Sequence, residues 1–381
     1  MTILYTIAGL YRPAGMERIL TDKANYLAAC GHAVTIVTTE QKGRPAAFPL
    51  HTAIRCIDLK VGYEDNNGGS FLSKAFRHPF KQAVHRFRLE RLLREIRPEV
   101  TVSLFCGDER FLPTFRDGSK KILEVHFSRF KRLQYGRKGL WGLADRLRSR
   151  RDYTLVRRFD HFVTLTAEDL KYWGCPENGR VIPNFIASVP DKPSDLSATT
   201  VLAVGRFCYQ KGFDRLLDIW KRTLERLEAD SPWRLRLVGD GECRESLERQ
   251  AATLGIGDRV LIDRFSGNMD AVYRSASILV LTSRYEGLPM VLLEARAYGL
   301  PVVAYDCKCG PKEVIDDGDN GFLLQQKNAE GFADMLALLI KDPALRERMG
   351  RAARARLSRW EKENIMSQWL SLFEEASSYR P

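Results

Sequence analysis

Two carboxylates, Glu286 and Glu294, are separated by seven residues, and Gly287-Leu288-Pro289 follows the first of them. The segment comes soon after the apolar run Ile278 to Leu281, which reads as a buried strand. Pro289 suits the first position of a helix, where its missing N–H costs nothing. The order is then strand, acidic turn, helix. Free backbone amides and the positive end of a helix dipole converge on such a turn and can bind an anion. Glu294 falls about two turns into the helix, on roughly the face that Glu286 approaches. The turn can therefore offer amides to a diphosphate and carboxylates to sugar hydroxyls. Taken alone, two glutamates at this spacing also fit an ordinary helix surface.

A second element upstream supplies cations. Val201-Leu202-Ala203-Val204 is an apolar strand, Gly205-Arg206 a turn, and Lys211-Gly212 the start of a helix. In an open parallel sheet the carboxyl ends of the strands share one edge, and ligands bind there. Arg206 and Lys211 would then join the Glu286 turn at a single site.

These residues resemble the nucleotide-sugar-dependent glycosyltransferases of family 4, retaining enzymes of the GT-B fold. The resemblance runs over nearly the whole chain. It is carried by Val204-Gly205-Arg206-Phe207 with Lys211-Gly212, and by Leu237-Val238-Gly239-Asp240-Gly241-Glu242. Residues 283–295 with both glutamates, Gly299-Leu300-Pro301-Val302-Val303 and Gly310-Pro311-Lys312-Glu313-Val314-Ile315 continue it in order. The resemblance implies that Arg206 and Lys211 bind the donor diphosphate and that Glu294 holds the ribose. It places Glu286 beside the transferred sugar, as a catalytic residue, and assigns Leu288 and Met290 to donor binding.

The first half alternates strand and helix: residues 2–8, 33–39, 100–105, 122–126 and 162–165 read as strands, and 15–30 as a helix. Residues 187–199, with two prolines and few large apolar side chains, have linker composition. The alternation restarts at Thr200. The expected architecture is GT-B, two Rossmann-like doubly wound parallel-sheet domains facing a cleft. An acceptor-binding domain is expected over 1–190 and a donor-binding domain over 191–360. A last helix, 361–381, should cross back to the first domain, as the resemblance implies.

In the first βα turn Ala14-Gly15 stands where the family commonly has Gly-Gly; Gly15 can still offer its amide to the donor. His126 ends a strand and should emerge at the sheet's carboxyl edge. The resemblance makes it a positioning or polarising group near donor sugar and acceptor. His32 follows a helix-ending glycine and reads as part of a cap.

The chain has 381 residues, 44% hydrophobic, with a net charge of +12. Residues 74–97 hold eight Lys/Arg against two Glu, and 129–158 hold eleven against two Asp, each with apolar residues interleaved. Such basic amphipathic helices are ordinary solvated faces or a surface for anionic lipid and a lipid-pyrophosphate acceptor. No nucleic-acid module appears. No stretch nears the roughly 20 apolar residues of a membrane span, and no leader is visible, so a cytoplasmic enzyme peripheral to the inner membrane face is expected. The eight cysteines are scattered and expected to remain thiols.

No Asp-x-Asp suggests a metal-held diphosphate; the acids of 316–319 read as turn residues. The expected reaction is metal- and cofactor-independent transfer from a nucleoside diphosphate sugar to an acceptor hydroxyl of a bacterial surface glycan. Prearranged cations and amides would stabilise the leaving diphosphate. Glu286 as nucleophile and a front-face route both remain open. A nucleotide-sugar epimerase and a non-catalytic membrane- or glycan-binding protein are the alternatives.

Overall fold

In the computed structural model, which describes residues 1–66, 71–131, 133, 139–265 and 267–378, apolar runs become central strands of two parallel sheets. The chain divides into two compact units, Met1–Asn184 with Glu363–Pro381, and Phe185–Lys362. The division comes before the expected 190/191 boundary because Phe185 and Ile186 are buried. The Ile186 amide also donates to the Trp360 carbonyl at 2.8 Å, inside the second unit.

The first unit runs β1 (Thr2–Ile7), α1 (Gly15–Ala29), β2 (Ala33–Thr38), β3 (Arg55–Asp58), α2 (Phe71–Ile96), β4 (Val100–Ser103) and β5 (Lys120–Val125). It continues with α3 (Gly139–Leu155), β6 (His161–Thr164), α4 (Ala167–Tyr172) and β7 (Gly179–Val181). Its sheet order is β3-β2-β1-β4-β5-β6-β7. Neighbours are parallel and in register, with Tyr5 opposite Ile36 and Val102. Central strands are apolar on both faces because helices cover both. The edges differ: β3 reads Arg-Cys-Ile-Asp and β7 is three residues long. Neither carries a long apolar run, and neither was expected from the sequence.

The second unit runs β8 (Thr200–Val204), α5 (Phe213–Leu224), β9 (Arg234–Val238), α6 (Arg244–Thr253), β10 (Val260–Asp263), α7 (Met269–Arg274) and β11 (Ile278–Leu281). Then come α8 (Met290–Tyr298), β12 (Val302–Asp306), α9 (Pro311–Val314), β13 (Gly321–Gln325), α10 (Ala329–Lys341) and α11 (Pro343–Ala355). The order is β10-β9-β8-β11-β12-β13, again all parallel. After β12 the chain adds one more strand, β13, at the sheet's edge. Asp317 and Asn320 before it build its turn: Asp317 Oδ1 accepts from the Leu323 amide at 2.9 Å, and Asn320 Oδ1 from the Asp316 amide at 3.1 Å.

The last helix, α12 (Lys362–Ser378), lies almost wholly in the first unit, with Ile365, Met366, Trp369 and Phe373 buried. Gly31 has φ +83 and ends α1, while the His32 amide donates to the Leu27 carbonyl at 3.0 Å. His32 thus completes the cap that its position suggested. Part of the basic run 129–158 (132 and 134–138) lies outside the described residues, as do 67–70, 266 and 379–381. Among the described residues no helix is long and apolar enough to cross a membrane.

Candidate functional site

The second unit's sheet reverses its winding between β8 and β11: β9 and β10 lie to one side, β12 and β13 to the other. A crevice opens where the connections diverge from two adjacent strands, beyond their carboxyl ends. The turn after β8 carries Arg206 and Lys211; the turn after β11 carries Glu286. Both therefore leave the sheet at the switch point.

Close approach of the two turns needs a glycine. Gly212 sits at φ +66, and a Cβ there would lie 2.3 Å from the Thr282 carbonyl oxygen. Gly212 caps α5 after a short 3-10 turn at Tyr209–Lys211, so the helix starts two residues later than Lys211. On the other side, Gly310 at φ +100 would place a Cβ 2.5 Å from Pro289 Cδ. The Gly-Pro-Lys-Glu segment thus packs against the acidic turn. Pro289 itself precedes the helix, with φ −73 and ψ 104, rather than opening it. Its extended ψ leaves Met290 as the first helical residue, and Glu294 lies in the second turn.

Arg284 binds the two turns together. Its Nη1 and Nη2 donate to both oxygens of Asp214, at 2.9 and 2.5 Å. Nη1 also reaches the Tyr209 carbonyl at 2.6 Å, and the Arg284 amide donates to the Gln210 carbonyl at 2.8 Å. A planar two-pronged guanidinium suits this bridging better than an ammonium would. Burial alone would raise the Asp214 pKa, but the Arg284 hydrogen bond and charge hold it below its ordinary value. The sequence showed Arg284 inside a motif but gave no sign of its partner, 70 residues away.

Within this frame Lys211 meets Glu286: Nζ to Oε1 is 2.7 Å. Ser283 Oγ donates to the same oxygen at 2.6 Å. Gln210 Nε2 lies 3.5 Å from Oε2, and the Glu286 amide donates to the Lys308 carbonyl at 3.2 Å. The Glu286 residue is 6% exposed. Burial first, and then the Glu286 charge, push the Cys307 thiol well up, so Cys307 is no ready nucleophile. Arg206 is exposed, and among the described residues its guanidinium has no hydrogen-bond or ion-pair partner. Glu294 is half-buried on α8 and accepts from the Tyr273 hydroxyl, whose ring stacks on Tyr298 at 5.0 Å. Leu288 is buried and Met290 half-buried at the start of α8.

Gly15 and His126 belong to the first unit. Gly15 is the first residue of α1, and Ala14 before it supplies no side-chain cap. His126 follows β5 directly and turns inward, with Nε2 2.8 Å from Glu124 Oε1. Glu124 in turn accepts from Lys23 Nζ at 2.7 and 2.5 Å, and both side chains are 1% exposed. Lys23 Nζ sits 4.0 Å from the Trp369 ring centroid. The sequence flagged His126 but not the buried pair behind it.

Two family models match in succession: "Glycosyltransferase Family 4" over residues 13–188 and "Glycosyl transferases group 1" over 187–356. A relative from Erwinia amylovora, "Amylovoran biosynthesis glycosyltransferase AmsD", is 40% identical over 169 residues. That match takes in 44% of this chain and 46% of the relative, so it spans less than half of that protein. "Lipopolysaccharide core biosynthesis glycosyltransferase LpsD" from Rhizobium meliloti is 27% identical over 82% of this chain and 86% of its own. Among solved structures, a mutant of TarM from S. aureus, in complex with fondaparinux, alpha-GlcNAc-glycerol and UDP, has the same fold. Its TM-score is 0.77 at 14% identity, covering 98% of this chain and 99% of that one.

Proposed function

We propose that this chain, which belongs to the family 4 glycosyltransferases and carries the group 1 domain over residues 187–356, moves a sugar from a nucleoside diphosphate sugar to a hydroxyl of a glycan or lipid-linked glycan in bacterial surface polysaccharide synthesis. The observation that carries this reading is the meeting of Lys211 and Glu286 at the switch point of the second sheet. A cation for the diphosphate and a carboxylate for the sugar stand where a donor would bind. UDP is the nucleotide named in the TarM complex, which makes a UDP-sugar the first donor to try.

Arg206 and Lys211 bind the diphosphate, and Glu294 the ribose. Glu286 orients the sugar hydroxyls and steadies positive charge on the ring as its bond to the diphosphate oxygen breaks. The electron pair leaves with that oxygen, and prearranged cations stabilise the charge, so no metal is needed. The acceptor oxygen bonds to the anomeric carbon with retained stereochemistry. Two routes are compatible with the site. In one, the acceptor attacks on the leaving-group face and its proton passes to the departing phosphate. In the other, Glu286 displaces the diphosphate and bonds to the anomeric carbon, and the acceptor oxygen then displaces the carboxylate while its proton passes to the departed diphosphate. For Gly15 a donor-binding role and for His126 a catalytic role, positioning or polarising, rest on the family resemblance alone.

A thermal-shift screen of nucleoside diphosphate sugars, with and without divalent metal, tests donor class and metal independence together. Stabilisation that persists in chelator supports the proposal; no response to any donor refutes it. Arg206→Ala should weaken UDP binding by about tenfold or more, the worth of one charge-assisted hydrogen bond. Equal affinity by calorimetry would remove its phosphate role.

The cytoplasmic face of the membrane is the proposed place of work. Phe80 and Phe87, seven residues apart on α2, are 72% and 68% exposed, and Leu143 and Leu147 on α3 are 54% and 56% exposed. They stand among the arginines of helices with a large basic excess, a pattern that suits anionic headgroups above acyl chains. Flotation with anionic vesicles should carry the protein upward, and a Phe80→Ser, Phe87→Ser pair should reduce it. Equal recovery with neutral and anionic vesicles would discard the membrane role.

A further inference from the structure

Glu286 is held by two side chains of very different length and exposure. Ser283 is 1% exposed and short, and its own carbonyl accepts from Gln326 Nε2 at 3.0 Å. Lys211 ends in an ammonium on a four-carbon stem, and its side chain is 18% exposed. That stem runs along the Gly205 backbone: a Cβ at Gly205 would lie 3.2 Å from Lys211 Cε. The backbone around Lys211 is fixed, because Arg284 grips the Tyr209 and Gln210 carbonyls. A shift of the ammonium therefore needs only rotation about the Lys211 side-chain bonds.

Two anions claim this one ammonium. Lys211 is the proposed diphosphate ligand, yet its ammonium sits on Glu286 Oε1 beside Ser283 Oγ. Oε1 is thus doubly occupied, while Oε2 has Gln210 at 3.5 Å. A carboxylate with one oxygen filled by an ammonium offers fewer acceptor positions to sugar hydroxyls.

Resting on the donor reading above, we propose that these two contacts have separate fates. Ser283 is a positioning residue that keeps its hydrogen bond to Glu286 throughout, while Lys211 transfers from Glu286 to the incoming diphosphate. Diphosphate binding thereby exposes the carboxylate to the sugar that arrives with it. The carboxylate and the diphosphate compete for Lys211, and this fixes the sign of their coupling.

Calorimetry with UDP alone, which carries no sugar, reads that sign. Glu286→Gln leaves Lys211 uncommitted and should bind UDP about fivefold tighter or more than the unaltered protein. Lys211→Met should bind it more weakly, and adding Glu286→Gln to Lys211→Met should restore nothing. Measurable UDP binding that is equal or weaker in Glu286→Gln overturns the exchange. So does an equal gain from Glu286→Gln when Lys211 is already absent. Failure of all four proteins to bind any nucleoside diphosphate overturns the donor reading, and the exchange with it. Ser283→Ala should lower kcat by about tenfold with donor KM little changed, and Ser283→Thr, which keeps the hydroxyl, should recover most of the loss. An unchanged kcat in Ser283→Ala, or a loss in KM alone, overturns the positioning role.

Discussion

Glu286→Gln is expected to lower kcat by about a hundredfold or more while sugar-nucleotide binding persists. The substitution keeps shape and hydrogen-bonding capacity but removes the negative charge. Ser283 can still donate to the amide oxygen, and the loop is held independently by Arg284, so the fold should not change. What disappears is the charge that faces the ring when positive character develops there. The loss falls on kcat because that interaction is made most strongly in the transition state. Single-turnover kinetics with saturating donor, alongside calorimetry, separate chemistry from binding. Turnover equal to that of the unaltered protein would refute the role of Glu286 in either route.

The second large effect concerns stability of the first unit. Glu124→Ala should lower stability by about 3–5 kcal/mol, because it strands the Lys23 ammonium without its counter-charge. Lys23 is 1% exposed and enclosed by Glu124, Tyr5 and Trp369. Changing both members at once, Lys23→Met with Glu124→Leu, should recover much of the loss, since the desolvated charges go together. A melting temperature unchanged in Glu124→Ala would show that the pair carries no such cost.

The same pair sets an acid limit. Burial would raise the Glu124 pKa, but Lys23 and His126 overcome it and bring it down to about 2, from an ordinary 4.5. A carboxylate depressed in the folded state stabilises fully above its unfolded pKa. That contribution is lost as pH falls from about 4.5 through about 2. Lys23 is lowered by burial against the pull of Glu124, so its own titration acts on the alkaline side. The acid limb of a stability profile should therefore flatten in the double variant. Glu124 also orients His126, so Glu124→Ala should disturb any function of that histidine even in the molecules that remain folded.

Local pattern was enough to locate most of the framework. Apolar runs such as Val201 to Val204 and Ile278 to Leu281 are strands because both their faces are covered, and that demand is written into consecutive residues. Gly212 and Gly310 were visible as motif glycines, and the structure supplies the reason: carbonyls and a proline ring lie too close for a Cβ. The edge strands β3 and β7 are not legible, since Arg-Cys-Ile-Asp and a run of three residues carry too little apolar pattern to mark a strand. Pro289 showed the limit of a positional rule, for its ψ of 104 sets it just outside the helix.

Residue types and order in the chain thus determined the parallel sheets, the acidic turn and the cationic turn. Which charges meet was decided only by folding. Lys211 reaches Glu286 across 75 residues, and Lys23 reaches Glu124 across 101. The choice of partner depends on which two strands become neighbours and on the register between them. Ion pairing has no sequence period of its own, so a carboxylate's partner becomes readable when strand order has closed the distance.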